Sequence, residues 1–211
     1  MNKYLLLLLV LVFKLVNAQG IDEELSLFNA DQYQSVREQT FGRVILTQGD
    51  PYRFKLNGEQ QELLRRDGVE QGDILVTDAD DSLHLRLTDA SMIVLNCNSS
   101  LEVLQYMDSV SVEFEMVLNK GSFRSISGEG ESIIYTNAAK LSVNSEGVTF
   151  EIVEESSDSI LLAVYSGSVA IGNTLNSFQL SDGIMRLSQD TAPQAVSQNE
   201  LDTQRGSNCP Q

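Results

Sequence analysis

A single histidine, His84, is the one side chain in this sequence suited by type to exchange a proton near neutral pH. It lies between Leu83 and Leu85 and two residues before Arg86, on the polar side of a period-two pattern, so it reads as a surface histidine on a strand. A Ser-His-Asp site would need a serine lifted out on a strained turn, and the sequence has no Gly-x-Ser-x-Gly segment to do so. Zinc takes three or four nitrogen or sulfur ligands, which one histidine and two distant cysteines, Cys97 and Cys209, do not supply. Asp78, Asp80 and Asp81 form the densest acidic cluster, with oxygen ligands of the kind calcium takes. They lack the glycine and closing glutamate of an EF-hand loop, so turn capping and solvation are the favoured reading and calcium the lesser one. Glu151, Glu154, Glu155 and Asp158 read as a solvated strand end rather than a glycosidase pair, and there is no tryptophan to line a sugar cleft. Asn98-Ser99-Ser100 fits the glycosylation acceptor pattern, a three-residue match that chance supplies. No catalytic, cofactor-binding or metal residue is therefore assigned, and the chain is not expected to be an enzyme. Tyr52, Tyr106, Tyr135 and Tyr165 are able to stack on sugars, which makes glycan or surface-polymer binding the alternative function.

The residues that would position these groups are written almost wholly in strands. Leu83, Leu85 and Leu87 alternate with His84 and Arg86, and Ile93 and Leu95 follow a short turn. Val110, Val112, Phe114, Met116 and Leu118 form the longest clean alternation, facing away from Ser111, Glu113 and Glu115. Earlier, Val44, Leu46 and Phe54, Leu56 flank the turn 48–51, and Asn57-Gly58 signals a hairpin. Further strands are expected over 123–126, 132–136, 140–143, 148–153, 160–165, 168–171, 176–180 and 184–187, punctuated by glycine and asparagine turns. The fold class is all-β: many short strands in two packed sheets, as a sandwich, a roll or a short β-solenoid.

The ends differ from this body. Residues 1–18 begin with Lys3, continue through an apolar run interrupted by Lys14 and close on Val16-Asn17-Ala18, the pattern of a signal peptide. The run is too short for a membrane span, which needs about 20 apolar residues. Residues 19–40 carry Leu25, Phe28, Tyr33 and Val36 at loosely helical spacing, a short helix or a leader. Residues 188–211 are polar and without period, and read as a disordered tail. Cys97 and Cys209 invite a disulfide in an oxidising compartment, but a cysteine so near the end of a polar tail is unconstrained. A bridge and a buried Cys97 beside an idle Cys209 both stand open.

The 211 residues carry 14 Lys and Arg against 30 Asp and Glu, a net charge of −16, and loss of residues 1–18 removes two lysines and no acid, giving −18. Such a surface repels phosphate backbones and anionic lipid, so no nucleic-acid partner is expected. The localisation expected is periplasmic or secreted, with no stable membrane span after signal cleavage.

Several fragments in order resemble the FecR family of extracytoplasmic domains. They include Phe41-Gly42-Arg43-Val44, Gln71-Gly72-Asp73-Ile74-Leu75, Thr77 with Asp81-Ser82-Leu83-His84-Leu85, and Asp89-Ala90-Ser91. Leu95 through Ser100-Leu101-Glu102-Val103, Leu118-Asn119-Lys120-Gly121, Tyr135 to Ala139, Val148 to Ile152 and Val164 to Val169 complete the series, which spans residues 41–187. Two segments depart from the pattern: Asn144-Ser145-Glu146-Gly147 replaces an Arg-Gly-Thr, and Cys97-Asn98 stands in a usual proline region. The marks themselves are structural: Gly42, Gly72, Gly121 and Gly167 are expected at strand reversals. Asp73 and Asp89 are expected to cap turns, and Ser82 and Ser100 to bond turn carbonyls. In the best-known members of that family a cytoplasmic segment controls a sigma factor and a membrane helix joins it to the outer domain. The resemblance implies a free-standing exported domain without that relay, holding an envelope protein partner or sensing a signal.

Overall fold

The structure, a computed structural model, describes residues 40–108, 112–172 and 177–209. The expected signal peptide and the leader or short helix of 19–40 fall almost wholly outside them, as does Val110. The strands are β1 (Thr40–Gln48), β2 (Tyr52–Phe54), β3 (Gln60–Glu62), β4 (Gly68–Glu70), β5 (Ile74–Thr77), β6 (Ser82–Leu87), β7 (Met92–Leu95), β8 (Ser99–Asp108) and β9 (Val112–Lys120). They continue as β10 (Ser122–Ile126), β11 (Glu131–Tyr135), β12 (Lys140–Val143), β13 (Thr149–Ser156), β14 (Ser159–Ser166), β15 (Val169–Gly172), β16 (Ser177–Leu180), β17 (Gly183–Ser188) and β18 (Gln194–Ala195). A helix, α1 (Gln198–Asn208), follows.

Two nine-stranded sheets result, as the alternating pattern requires. Sheet A runs β18-β17-β14-β13-β10-β7-β6-β1-β4 and sheet B runs β16-β15-β12-β11-β9-β8-β5-β2-β3. The chain lays one or two strands on one sheet, crosses, and lays the next on the other, so both sheets advance in chain order except at the first edge, where β4 lies outside β1 and β3 outside β2. That progression gives a sandwich wound like a short solenoid. The pair β9 and β11 is parallel, while the other described ladders are antiparallel.

One apolar core fills the space between the sheets. Leu83, Leu85, Ile93, Leu95, Phe123 and Phe150 enter it from sheet A, and Leu75, Leu101, Phe114 and Met116 from sheet B. Phe41 meets Phe114 edge-on at 5.0 Å between ring centres, and Phe123 meets Phe150 at 6.1 Å. These alternate positions are the ones the period-two pattern marks, because every second residue of a strand faces one side. A buried ion pair ties the sheets near one edge. Arg53 of β2 donates to Asp73 at 2.7 Å and to the Gly68 carbonyl of β4 at 2.6 Å.

Two glycines show why the backbone needs them. Gly121 turns β9 into β10 at φ +83°, and a Cβ there would lie 2.3 Å from Ser99 Oγ and 2.6 Å from the Asn98 carbonyl oxygen. Gly42 lies inside β1 and not at a reversal as the sequence suggests; a Cβ would lie 2.7 Å from the Arg86 carbonyl oxygen, so it permits the close approach of β6.

The polar tail is ordered where the sequence predicts disorder. Ser197 caps α1 by accepting from the Glu200 amide at 3.3 Å, and Leu201 is fully buried against Val153, Leu161 and Ala163 on the outer face of sheet A. The reason lies in β14. Ile160, Leu162 and Val164 face the core, but Leu161 and Ala163 also need cover, and α1 provides it.

Candidate functional site

The outer face of sheet A divides into a half covered by α1 and an open half. Over β13, β14 and β17 the helix is held by polar contacts as much as by Leu201. Glu151, 3% exposed, accepts from Arg205 Nε at 2.6 Å and also from Arg205 Nη2. Tyr165 donates its hydroxyl to Glu151 at 2.8 Å, and Arg124 lies over the tyrosine ring at 4.9 Å. Burial, the bond to Glu151 and the charge of Glu151 push the Tyr165 hydroxyl up to about 12. The bonds to Glu151 hold the Arg205 guanidinium more firmly protonated than usual. Farther along, Arg186 of β17 bridges Glu155 and Glu200, and its hydrogen bonds draw the Glu155 carboxyl below the ordinary range. Two of the charges expected to form a solvated strand end, Glu151 and Glu155, are thus anchors of the helix. Glu154 accepts from the Gly121 amide at 2.8 Å, and Asp158 from Ser156 Oγ at 2.6 Å.

A disulfide joins Cys97 to Cys209 across 112 residues, settling the choice the sequence leaves open. Asn98, the glycosylation-pattern residue, donates its side-chain amide to the Asn208 carbonyl at 2.6 Å, so it is part of the same anchorage. Beside the disulfide is a shallow, open cleft of about 340 Å3, lined by Gln48, Asp80, Asp81 and Asn96 among others.

The aspartates cap the loop between β5 and β6. Asp81 accepts from the Asp50 amide at 3.0 Å with one oxygen and from the Asp78 amide at 2.9 Å with the other, while Asp78 and Asp80 are exposed. Among the described residues no three metal-ligating side chains gather. Asp73 accepts from the Glu70 amide at 3.0 Å, and Asp89 accepts from the Ser91 amide at 2.8 Å and the Ser91 hydroxyl at 2.5 Å, as turn caps do. Burial nevertheless raises the Asp89 carboxyl. The serine role differs from expectation: Ser99, next to Ser100, donates to the Cys97 carbonyl at 2.9 Å and accepts from the Ser122 amide at 2.8 Å. Ser99 is buried inside the turn, whereas Ser100 is only half-buried at the start of the ladder.

The tyrosines do not share a platform. Tyr165 belongs to sheet A; Tyr52 and Tyr135 lie on sheet B four strands apart, about 19 Å at the usual strand spacing. The side chain of Tyr106 lies outside the described residues.

On the open half of sheet A, His84 is half-buried in the register row Leu46, His84, Val94 and Arg124 on β1, β6, β7 and β10. The adjacent row on the same strands is Arg43, Arg86, Met92 and Ile126, all four exposed. Sequence periodicity marks Arg86 as outward, but the row exists only once the strands are in register.

Residues 73–170 match the model of the family described as FecR protein. The match lies inside the 41–187 stretch whose motifs resemble that family; Phe41 to Val44 and the strands after β15 fall outside it. Two solved structures of a candidate anti-sigma factor from Parabacteroides distasonis are similar to the chain, at 13% and 14% identity and TM-scores of 0.49 and 0.48. They cover 61% and 60% of this chain, which spans about three fifths of those chains, 62% and 61%. No curated protein matches the sequence.

Proposed function

Taking residues 73–170 as a FecR domain, we propose that the chain is an exported, non-enzymatic envelope module that binds a protein partner or senses a signal through it. The family match carries this reading. The geometry agrees with it, since hydroxyls, carboxylates and the histidine are engaged in capping, clamping or outward display rather than converging on a reacting atom. No helix among the described residues is long and apolar enough to cross a membrane, in keeping with a domain that works outside one.

Affinity capture with the full chain from a bacterial envelope extract tests the proposal. A discrete protein enriched over an unrelated control of equal acidity is the expected result, and recovery of none overturns it.

A further inference from the structure

We propose that the open outer face of sheet A is the docking surface, and that its occupant is an acidic, amphipathic segment of a partner protein. The inference rests on the protein-binding function proposed above and names where and what the domain binds.

The face is an anomaly of charge. Strands β1, β6, β7 and β10 are neighbours in sheet A, and together they contain no aspartate or glutamate, in a chain that has 30. They carry Arg43, Arg86, Arg124 and His84 outward. Strands β8, β9 and β11, neighbours in sheet B, instead carry Glu102, Glu113, Glu115 and Glu131. Four adjacent strands of an acidic protein are thus free of acid, between β4 with Glu70 on one side and β13 with Glu151 on the other.

Arg124 packs over the Tyr165 ring, but Arg43 and Arg86 serve no evident purpose in the fold. Arg43 and Arg86 stand directly opposite one another on β1 and β6, where like charges repel. Both are exposed, and neither side chain has an ion pair or hydrogen bond among the described residues. A pair that weakens the sheet and is neutralised by nothing within it is suited to an anion from outside.

Apolar groups complete the surface. Leu46 is 53% exposed, Met92 41% and Ile126 45%, the last two side by side in the row that holds the arginines. Leu46 and Val94 flank His84 in the next row. Cations interleaved with aliphatic side chains across four strands, about 15 Å, match a segment presenting carboxylates between apolar residues. Nucleic acid presents charge as well, but the aliphatic residues offer a phosphate backbone nothing, and anionic lipid is an arm of the test below.

The test uses the full chain, the double variant R43E/R86E, and a control, E62K, on the exposed edge strand β3 of the other sheet. The probe is a fluorescein-labelled peptide of alternating short Glu and Leu/Val blocks, with a second peptide in which Lys replaces every Glu. Wild type and E62K should bind the Glu peptide. R43E/R86E should bind it at least about tenfold more weakly and should take the Lys peptide instead. Equal binding of the Glu peptide by wild type and R43E/R86E overturns the proposal. So does binding of phosphatidylglycerol vesicles or DNA in its place, or a wild-type dimer in sedimentation that R43E/R86E abolishes, which would give the face to a second copy. The envelope capture separates the two levels. A partner retained equally by R43E/R86E leaves the protein-binding function standing and removes this face from it, whereas no partner for wild type removes the function itself.

Discussion

Arg43 and Arg86 hold opposed register positions, and one of them can be turned into the other's counter-ion without touching the core. Their Cβ atoms are about 5 Å apart in such a pair, and replacing a like-charge pair by an opposite one recovers about 0.2–1 kcal/mol. The variant R43E should therefore raise the urea midpoint of the full chain, with the slope unchanged. A lowered midpoint would mean that Arg43 makes a stabilising contact, contrary to its exposure and to its side chain's lack of partners among the described residues. The combination of greater stability with weaker docking is the behaviour of a residue retained for binding. At this scale the sequence is legible in part. Alternation shows that His84 and Arg86 point outward and that Leu83 and Leu85 point inward, as they do. It does not show that Arg43 and Arg86 face each other, because strand register depends on the turns and on a bulge between Val44 and Leu46.

Among the elements, the C-terminal helix departs most from what its composition suggests. A segment with Leu201 as its one fully buried side chain cannot drive its own folding by burial. Its order comes from outside: the Arg205 to Glu151 clamp, the Arg186 bridge to Glu200, and the disulfide. The signal for it lies in β14, where Ile160-Leu161-Leu162-Ala163-Val164 is a continuous apolar run instead of an alternation. Such a run marks a strand covered on both faces. The helix lies beyond the residues that carry the motif resemblance, so the resemblance does not reveal it. Because the disulfide closes a loop of over a hundred residues, C97S/C209S should lower the unfolding free energy by about 2–4 kcal/mol in non-reducing buffer. Reducing agent should destabilise the wild type similarly and leave the variant unchanged. If the variant matches the wild type under non-reducing conditions, the ion pairs alone are sufficient to hold α1.

At the scale of the whole molecule, the two sheets were legible because each short strand reports its own inward and outward sides. Beyond the first edge, the advance of both sheets in chain order follows from crossing every one or two strands, which keeps neighbouring strands close along the chain. Charge distribution was not legible, since a total of −16 says nothing of which face is spared. That separation has a kinetic consequence for an acidic partner. Fields act over about one Debye length, roughly 8 Å at physiological salt, so a partner approaching from afar meets the net negative charge and is not steered. The cations of β1, β6 and β10 act only on contact. With the acidic peptide as probe, added salt should therefore leave the association rate constant unchanged or raise it, while accelerating dissociation. The R43E/R86E variant should differ from the wild type mainly in dissociation. An association rate that falls steeply with salt would require a positive field reaching well beyond the face, and a binding surface other than an acid-free patch on an acidic body.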